Sequence, residues 1–514
     1  MSAKLDYASN VVDAGLSSGF EPALERARQS HATVAHRIDG QWTERGAVES
    51  RADPCDPDRT IARYHIADAG LVDEAVKAAK KAAKAWRSEP FERRCDLLRE
   101  AKPRLAARQA EIAGLVSAET GKIRIESLAE ISEAIDLIEY YATQVEEHDG
   151  FARPLAPGGN ESRLDVLRPY GVFGVIVPFN FPVALAVNMT AAALLTGNTV
   201  VVKPSAKTPR STTEAMLVLG ASLPPGVLNI VQGDVQTGES LAKSDVDGIA
   251  FTGSAQVGWG LVQALHADPR RKPVLAEMGG QNPAIVCASA DLDVAAAGIV
   301  RSAFGLSGQK CSSCRRAVVQ RTVAKDLVDR LRRGAESLKV GDPADAASQL
   351  GPVIDGAIAA RIEQALATAG SDGKVLTGGR MAGRRGHYFR PIIVGDLAAG
   401  HALTRTELFA PFLTVVVVDS FEQAMLEANA VEYGLSAGIY TNDEREQQAF
   451  LDGIEAGVLY VNRAAGATTG AWPGAQPFCG WKSSGSTGKG GLGPWYLPGF
   501  MREQSRTIVG PVGG

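Results

Sequence analysis

The stretch Gly171-Val172-Phe173-Gly174-Val175-Ile176-Val177, the apolar run over 183–195 and the segment Thr199-Val200-Val201-Val202 decide the fold. A short β-rich run, a helix-length apolar segment and a second short run make one strand–helix–strand unit. The alternation then continues. Residues 212–221 read as helix, 227–231 as strand, 238–243 as a short helix, 248–251 as strand, 257–265 as helix and 274–276 as strand. Strands separated by helices pair in parallel through right-handed crossovers. Runs as apolar as Val200-Val201-Val202 belong in a sheet covered on both faces. The expected class is α/β.

Outward from this unit, residues 71–86 place Leu71, Val72, Ala75, Val76, Ala79, Ala82, Ala83 and Trp86 at helical spacing. Helical patterns run from Phe91 to about Val145, broken near Gly121. Residues 1–60 are poorly periodic and are expected to be irregular. Residues 151–155 and 163–168 flank Pro157-Gly158-Gly159-Asn160, which predicts a projecting β-hairpin. A second alternation follows, with strands at 284–286, 317–320, 392–394 and 413–418 and helices at 294–304, 323–338 and 357–369. The run 466–499, rich in Gly, Pro and Trp, is too long for an ordinary connection. Its aromatic content favours a functional segment over a disordered one.

Composition limits the function. The 514 residues carry 54 Lys+Arg against 58 Asp+Glu, a net charge of −4, with 45% hydrophobic and 22% charged residues. That is the balance of a folded globular chain, with no basic footprint for nucleic acid. No apolar run approaches a membrane span, and the N-terminal residues lack a signal or transit pattern. Six Cys over this length is no disulfide framework. A reduced, cytoplasmic protein of about three domains is expected.

Three constellations carry chemistry. Gly308-Gln309-Lys310-Cys311 places a thiol beside a Gly, where backbone N–H groups can approach a reacting atom. Cys314 completes a formal C-x-x-C, but no second ligand pair accompanies it, and a buried structural thiol is its ordinary reading. Glu277-Met278-Gly279-Gly280 follows the strand at Val274, where open α/β sheets put their chemistry. Phe251-Thr252-Gly253-Ser254 joins a strand to a helix, a turn that can seat a phosphate on the helix N-terminus. No G-x-G-x-x-G fingerprint is present. The run 485–490 imitates a phosphate loop without its hydroxyl or its strand. The seven His show no metal-like spacing, and no metal site is expected.

Together with Pro178-Phe179-Asn180-Phe181-Pro182, Val201-Val202-Lys203-Pro204-Ser205 and Glu407-Leu408-Phe409-Ala410-Pro411, these motifs resemble the aldehyde dehydrogenase superfamily over roughly residues 60–510. The resemblance implies Cys311 as nucleophile, Glu277 as general base and Asn180 as an oxyanion donor. It implies cofactor contacts at Pro178, Phe179, Lys203, Ser205, Ala206, Gly233, Gly253, Ser254, Glu407 and Phe409. It also implies an aldehyde-dehydrogenase-like fold with a Rossmann-like cofactor domain (20–148 and 169–278) and an α/β catalytic domain (279–490). A β-hairpin oligomerisation flap (151–168 and 496–511) would support a homodimer or larger even assembly. A free thiol is only a few per cent thiolate at pH 7, so lowering its pKa to about 7 would gain roughly tenfold.

The tail narrows the resemblance. Tyr460-Val461-Asn462-Arg463, Thr469-Gly470-Ala471 and Gln476-Pro477-Phe478 resemble the 1-pyrroline-5-carboxylate dehydrogenase family, which oxidises glutamate γ-semialdehyde. By that resemblance Ser312, Gly470 and Ala471 would hold the substrate carboxylate, and Phe181 and Phe478 would flank its aliphatic part. Cys479 replaces a usual Gly, a mark of a divergent branch, and another small aldehyde such as succinate semialdehyde stays open. The cofactor is NAD or NADP. Where NAD-preferring relatives often carry Glu, this chain has Ala206 followed by Lys207, so NADP is expected to be tolerated or preferred. Readings of another class are a C-x-x-C thiol oxidoreductase and a non-catalytic binding protein.

Overall fold

Two large sheets meet at one short peptide, Met278–Gln281. The computed structural model describes residues 7, 14–156, 158, 160–466 and 472–510. Among these, the first seven-stranded sheet runs in the order Val274–Glu277, Gly248–Thr252, Val172–Ile176, Thr199–Lys203, Leu228–Ile230, His36–Ile38, Gln41–Thr43. Its first five strands pair in parallel, as the alternation predicts. His36–Ile38 and the edge strand Gln41–Thr43 join antiparallel. The order in which strands are added reverses between Val172–Ile176 and Gly248–Thr252, which stay parallel. The residues that follow these two strands therefore open onto a switch-point crevice, where such sheets take ligands.

The second seven-stranded sheet is ordered Lys374–Arg380, Phe389–Gly395, Phe412–Val418, Cys314–Gln320, Asn282–Val286, Ser436–Tyr440, Val458–Val461. All neighbours are parallel except the outer Lys374–Arg380. The first sheet ends in Glu277 and the second begins at Asn282, with Met278–Gln281 between them. The carboxyl edge of one sheet thus faces the amino edge of the other.

The helical layer buries Leu137, Ile138 and Tyr141 of helix Arg124–Glu147 in a core shared with Ala184–Leu195. The break near Gly121 is real, because Gly121 caps the preceding helix in the left-handed region at φ 76°. Further breaks fall at Glu100, just before Pro103, and at Arg108, where neither Gly nor Pro signals it.

The expectation that residues 1–60 are irregular is overturned. A helix spans Ala14–Gln29, and the strands Thr33–Val34, Val48–Asp53 and Asp56–His65 form a small sheet. Thr33–Val34 is too short to show a period, Val48–Asp53 and Asp56–His65 bury their residues without strict alternation, and Pro22 inside the helix masks its pattern. The strands Ala152–Pro154, Glu161–Pro169 and Met501–Val509 form an antiparallel ribbon. Its tip residues Ile508 and Val509 are exposed.

Candidate active site

The loop leading to Cys311 is built by an unusual backbone. Leu306, Ser307 and Gly308 all have positive φ, at 56°, 51° and 67°. At Gly308 a Cβ would lie 2.1 Å from the Ala410 carbonyl oxygen, so only Gly fits. Arg315, buried in the strand that follows, donates to the carbonyls of Ala410 (2.7 Å), Gly308 (2.6 Å) and Lys310 (3.0 Å). The Asn282 amide donates to the carbonyls of Cys311 (2.7 Å) and Ser313 (2.9 Å). The start of the second sheet therefore holds Cys311 from behind.

Glu277 closes the first sheet and is 8% exposed. Its Oε1 accepts from the Gly491 N–H at 2.7 Å. Burial pushes its carboxyl up to about 7, against the opposing effect of that hydrogen bond. The C-terminal run frames this strand. Gly485 bridges Glu277, and Ser486 both accepts from the Ala276 N–H and donates to the Val274 carbonyl. Glu277, Cys311, Ser312, Phe181 and Phe478 line one cavity of about 60 Å³.

Cys311 departs from the expected activation. Burial, then the nearby Glu407 and Glu277 carboxylates, push its thiol up to about 12, so the resting group is protonated. The reason lies in tertiary placement: the fold encloses the thiol and brings two acidic side chains, distant in sequence, beside it. Cys314 is buried beside it, its Sγ directed at the Arg316 carbonyl, and both are free cysteines.

Asn180 reaches the same loop from the first sheet. Its Nδ2 donates to the Gln309 carbonyl at 3.0 Å, and Gln309 in turn accepts from the Ile354 N–H. Pro178 and Phe179 lie in the same turn after Val172–Ile176. Phe179 meets Phe409 edge-on at 5.8 Å. Phe409 sits at φ 55°, and Glu407 two residues earlier accepts from the Gly280 N–H at 3.1 Å. A Cβ at Gly279 would fall 2.0 Å from the Glu407 carboxylate.

The crevice edge carries the remaining cofactor-side positions. Lys203 is buried, donates to the carbonyls of Pro204 (2.7 Å) and Gly233 (3.1 Å), and is pushed down to about 8 by burial. Ser205 Oγ accepts from the Lys207 N–H. Gly253 follows strand Gly248–Thr252, and Ser254 caps helix Ala255–His266 by accepting from Val257. Lys207 corrects the cofactor argument: its Nζ pairs with Asp355 at 2.6 Å and lies 4.8 Å from the Phe179 ring centre. It is not the free cation that a bare sequence suggests.

Gly470 and Ala471 lie outside the described residues. Sequence reasoning missed Arg315, Gly491 and Glu133, the last of which also lines the cavity. A charge inside the strand directly after Cys314 was a usable signal for Arg315. For Gly491 and Glu133 the sequence offers none.

The profile of the aldehyde dehydrogenase family matches residues 42–505. The chain belongs to the aldehyde dehydrogenase family. It is an NAD(P)-dependent oxidoreductase acting on aldehydes. A 1-pyrroline-5-carboxylate dehydrogenase of Geobacillus sp. (strain WCH70) is 36% identical over 463 residues, 88% of each chain. The solved Thermus 1-pyrroline-5-carboxylate dehydrogenase with bound NAD superimposes with a TM-score of 0.93 at 29% identity, over 98% of both chains. Proline utilization A (PutA) from Bdellovibrio bacteriovorus matches with a TM-score of 0.91 at 32% identity. That match covers 96% of this dehydrogenase but only 52% of PutA. Among the described residues no helix is long and apolar enough to cross a membrane.

Proposed function

We propose that this aldehyde dehydrogenase oxidises glutamate γ-semialdehyde to glutamate. One observation carries the reading: a chain 36% identical to a protein of that name places Cys311, Glu277 and Ser312 in a single cavity between Phe181 and Phe478. Cys311 loses its thiol proton to solvent and attacks the aldehyde carbon to give a hemithioacetal oxyanion, and loss of hydride from that carbon to the cofactor leaves a thioester on the sulfur. Asn180 Nδ2 and the Cys311 N–H stabilise the developing oxyanion. Asn180 has two amide hydrogens, and the bond to Gln309 uses one of them. Glu277, half ionised near pH 7, removes a proton from the water that hydrolyses the thioester.

The donor set fits a dinucleotide. The capped N-terminus of helix Ala255–His266, beside Gly253 and Ser254 at the switch point, suits a pyrophosphate. Lys203, Ser205 and Glu407 offer polar groups to riboses, with Gly233 giving room, and Pro178, Phe179 and Phe409 offer apolar walls. The bound nicotinamide supplies the hydride acceptor. Ala206 carries no carboxylate to repel a 2′-phosphate, so NADP is tolerated. Lys207 is engaged with Asp355, so it adds little attraction, and NAD is the better cofactor.

In this reading residues 20–148 and 169–278 bind the cofactor, 279–490 carry the nucleophile, and 151–168 with 496–511 join subunits in a cytoplasmic homodimer or larger even assembly. Exposed edges such as Met501–Val509 invite pairing with a second chain. Light scattering at micromolar concentration tests the assembly, and a monomer refutes it. The substrate is tested by following absorbance at 340 nm with glutamate γ-semialdehyde, succinate semialdehyde and propanal, each with NAD and NADP. Preference for glutamate γ-semialdehyde by tenfold or more in kcat/KM is expected (about 1.4 kcal/mol). Equal or better turnover of another aldehyde overturns the assignment.

A further inference from the structure

A residue far from every motif reaches the aldehyde cavity. Tyr7 lines it together with Phe181, Glu133 and Cys311. Its hydroxyl donates to Glu133 Oε2 at 2.5 Å. Its ring meets Phe181 edge-on at 5.7 Å and Trp472 at 5.9 Å. The Tyr7 carbonyl accepts from Arg301 Nη2 at 3.1 Å, and Trp472 is itself fixed by a 2.8 Å bond from Nε1 to Asp136. Tyr7 is thus held at both ends.

Phe181 is held too. Lys122 Nζ lies 3.9 Å from its ring centre, and Lys122 pairs with the buried Glu130 at 2.5 Å. Glu130 accepts from the N–H groups of Val183 and Ala184, just beyond Phe181. Tyr7 and Phe181 also line a second, larger cavity of about 560 Å³, with Arg124, Arg301, Lys310 and Leu350. The two rings are therefore shared walls of a small reaction cavity and a roomier one of mixed polar and apolar lining.

We infer that Tyr7 is a specificity-determining residue: with Phe181 it walls off the larger cavity and so sets how long an aldehyde Cys311 can accept. The inference rests on Cys311 as nucleophile but not on the identity of the natural aldehyde. Removing the phenol ring joins the two spaces. A ring deletes more volume than one methylene, and a single methylene in a fitted pocket is worth roughly 10–200-fold in discrimination.

The test uses the full-length enzyme in two readouts. In the first, without substrate, Cys311 is alkylated by iodoacetamide or by the bulkier N-phenylmaleimide, with site-resolved mass spectrometry giving each rate. In the second, kcat/KM is measured from propanal to octanal. Tyr7→Ala is expected to raise both the bulky-to-small alkylation ratio and the octanal-to-propanal ratio by about tenfold. Tyr7→Phe, which keeps the ring, is expected to match the wild type in both, and Tyr7→Leu reads the same ratios should Tyr7→Ala fail to fold. Unchanged ratios in Tyr7→Ala or Tyr7→Leu overturn the inference, as does a Tyr7→Phe enzyme that shifts as far as Tyr7→Ala. Failure of the underlying reading shows separately, as turnover that survives Cys311→Ala.

Discussion

Gly491 donates its backbone N–H to the carboxylate of Glu277, 214 residues away in sequence, at 2.7 Å. The bond fixes Glu277 without a compensating cation, and burial outweighs it, so the carboxyl titrates near neutrality. A group poised near the working pH is the best compromise between being deprotonated and being basic enough to take a proton.

Glu277 therefore sets a pH dependence. Deacylation is expected to rise with pH through about 7 and to level off above it. Glu277→Gln is expected to abolish that limb and accumulate the thioester, slowing turnover about 100-fold or more. Stopped-flow and intact-mass measurements across pH 5.5–9 check both. The stability consequence has the opposite sense. The folded pKa lies above the ordinary carboxylate value, so the contribution of Glu277 is fully present below about 4.5 and is lost as pH rises through about 7. Glu277→Gln is expected to flatten that decline, read from Tm against pH.

Asn180→Ala removes an oxyanion donor and the tether to Gln309. A fall in kcat of about 100- to 1000-fold is expected, or roughly 2.7–4 kcal/mol, with KM little changed. Steady-state kinetics decides it; a fall of less than tenfold would leave Asn180 as a loop support only.

Gly308→Ala places a Cβ 2.1 Å from the Ala410 carbonyl oxygen at a φ of 67°. Backbone strain alone costs about 1–3 kcal/mol, and the overlap displaces the nucleophile loop. Lower Tm and turnover below one per cent of wild type are expected from thermal unfolding and the 340 nm assay.

Cys314→Ala separates a dehydrogenase from a dithiol enzyme. Cys314 is buried against its own strand, and truncation to Ala is expected to cost about 1 kcal/mol of stability while leaving turnover near normal. Loss of activity in a folded Cys314→Ala enzyme would instead favour thiol exchange.

Lys207→Ala tests the cofactor side. Because Lys207 already neutralises Asp355, the ratio of kcat/KM for NADP over NAD is expected to move less than about threefold. A tenfold loss of NADP use would make Lys207 a 2′-phosphate ligand after all.

The sequence by itself determined the parallel strands from Gly171 to Glu277, four strands of the second sheet, the hairpin before Gly171 and the family. Strand and helix periods are local, and motifs sit where strands end. The early strands escaped because Thr33–Val34 is too short for a period and Val48–Asp53 and Asp56–His65 do not alternate strictly. What only the tertiary structure decided was the electrostatics and closure of the site. The Cys311 thiol is pushed up by burial and then by Glu407 and Glu277 beside it, and Lys207 is tied to Asp355. Tyr7 stands against Phe181 across 174 residues of chain. Charge–charge effects, desolvation and packing depend on distance in space, and a linear chain records only distance along itself.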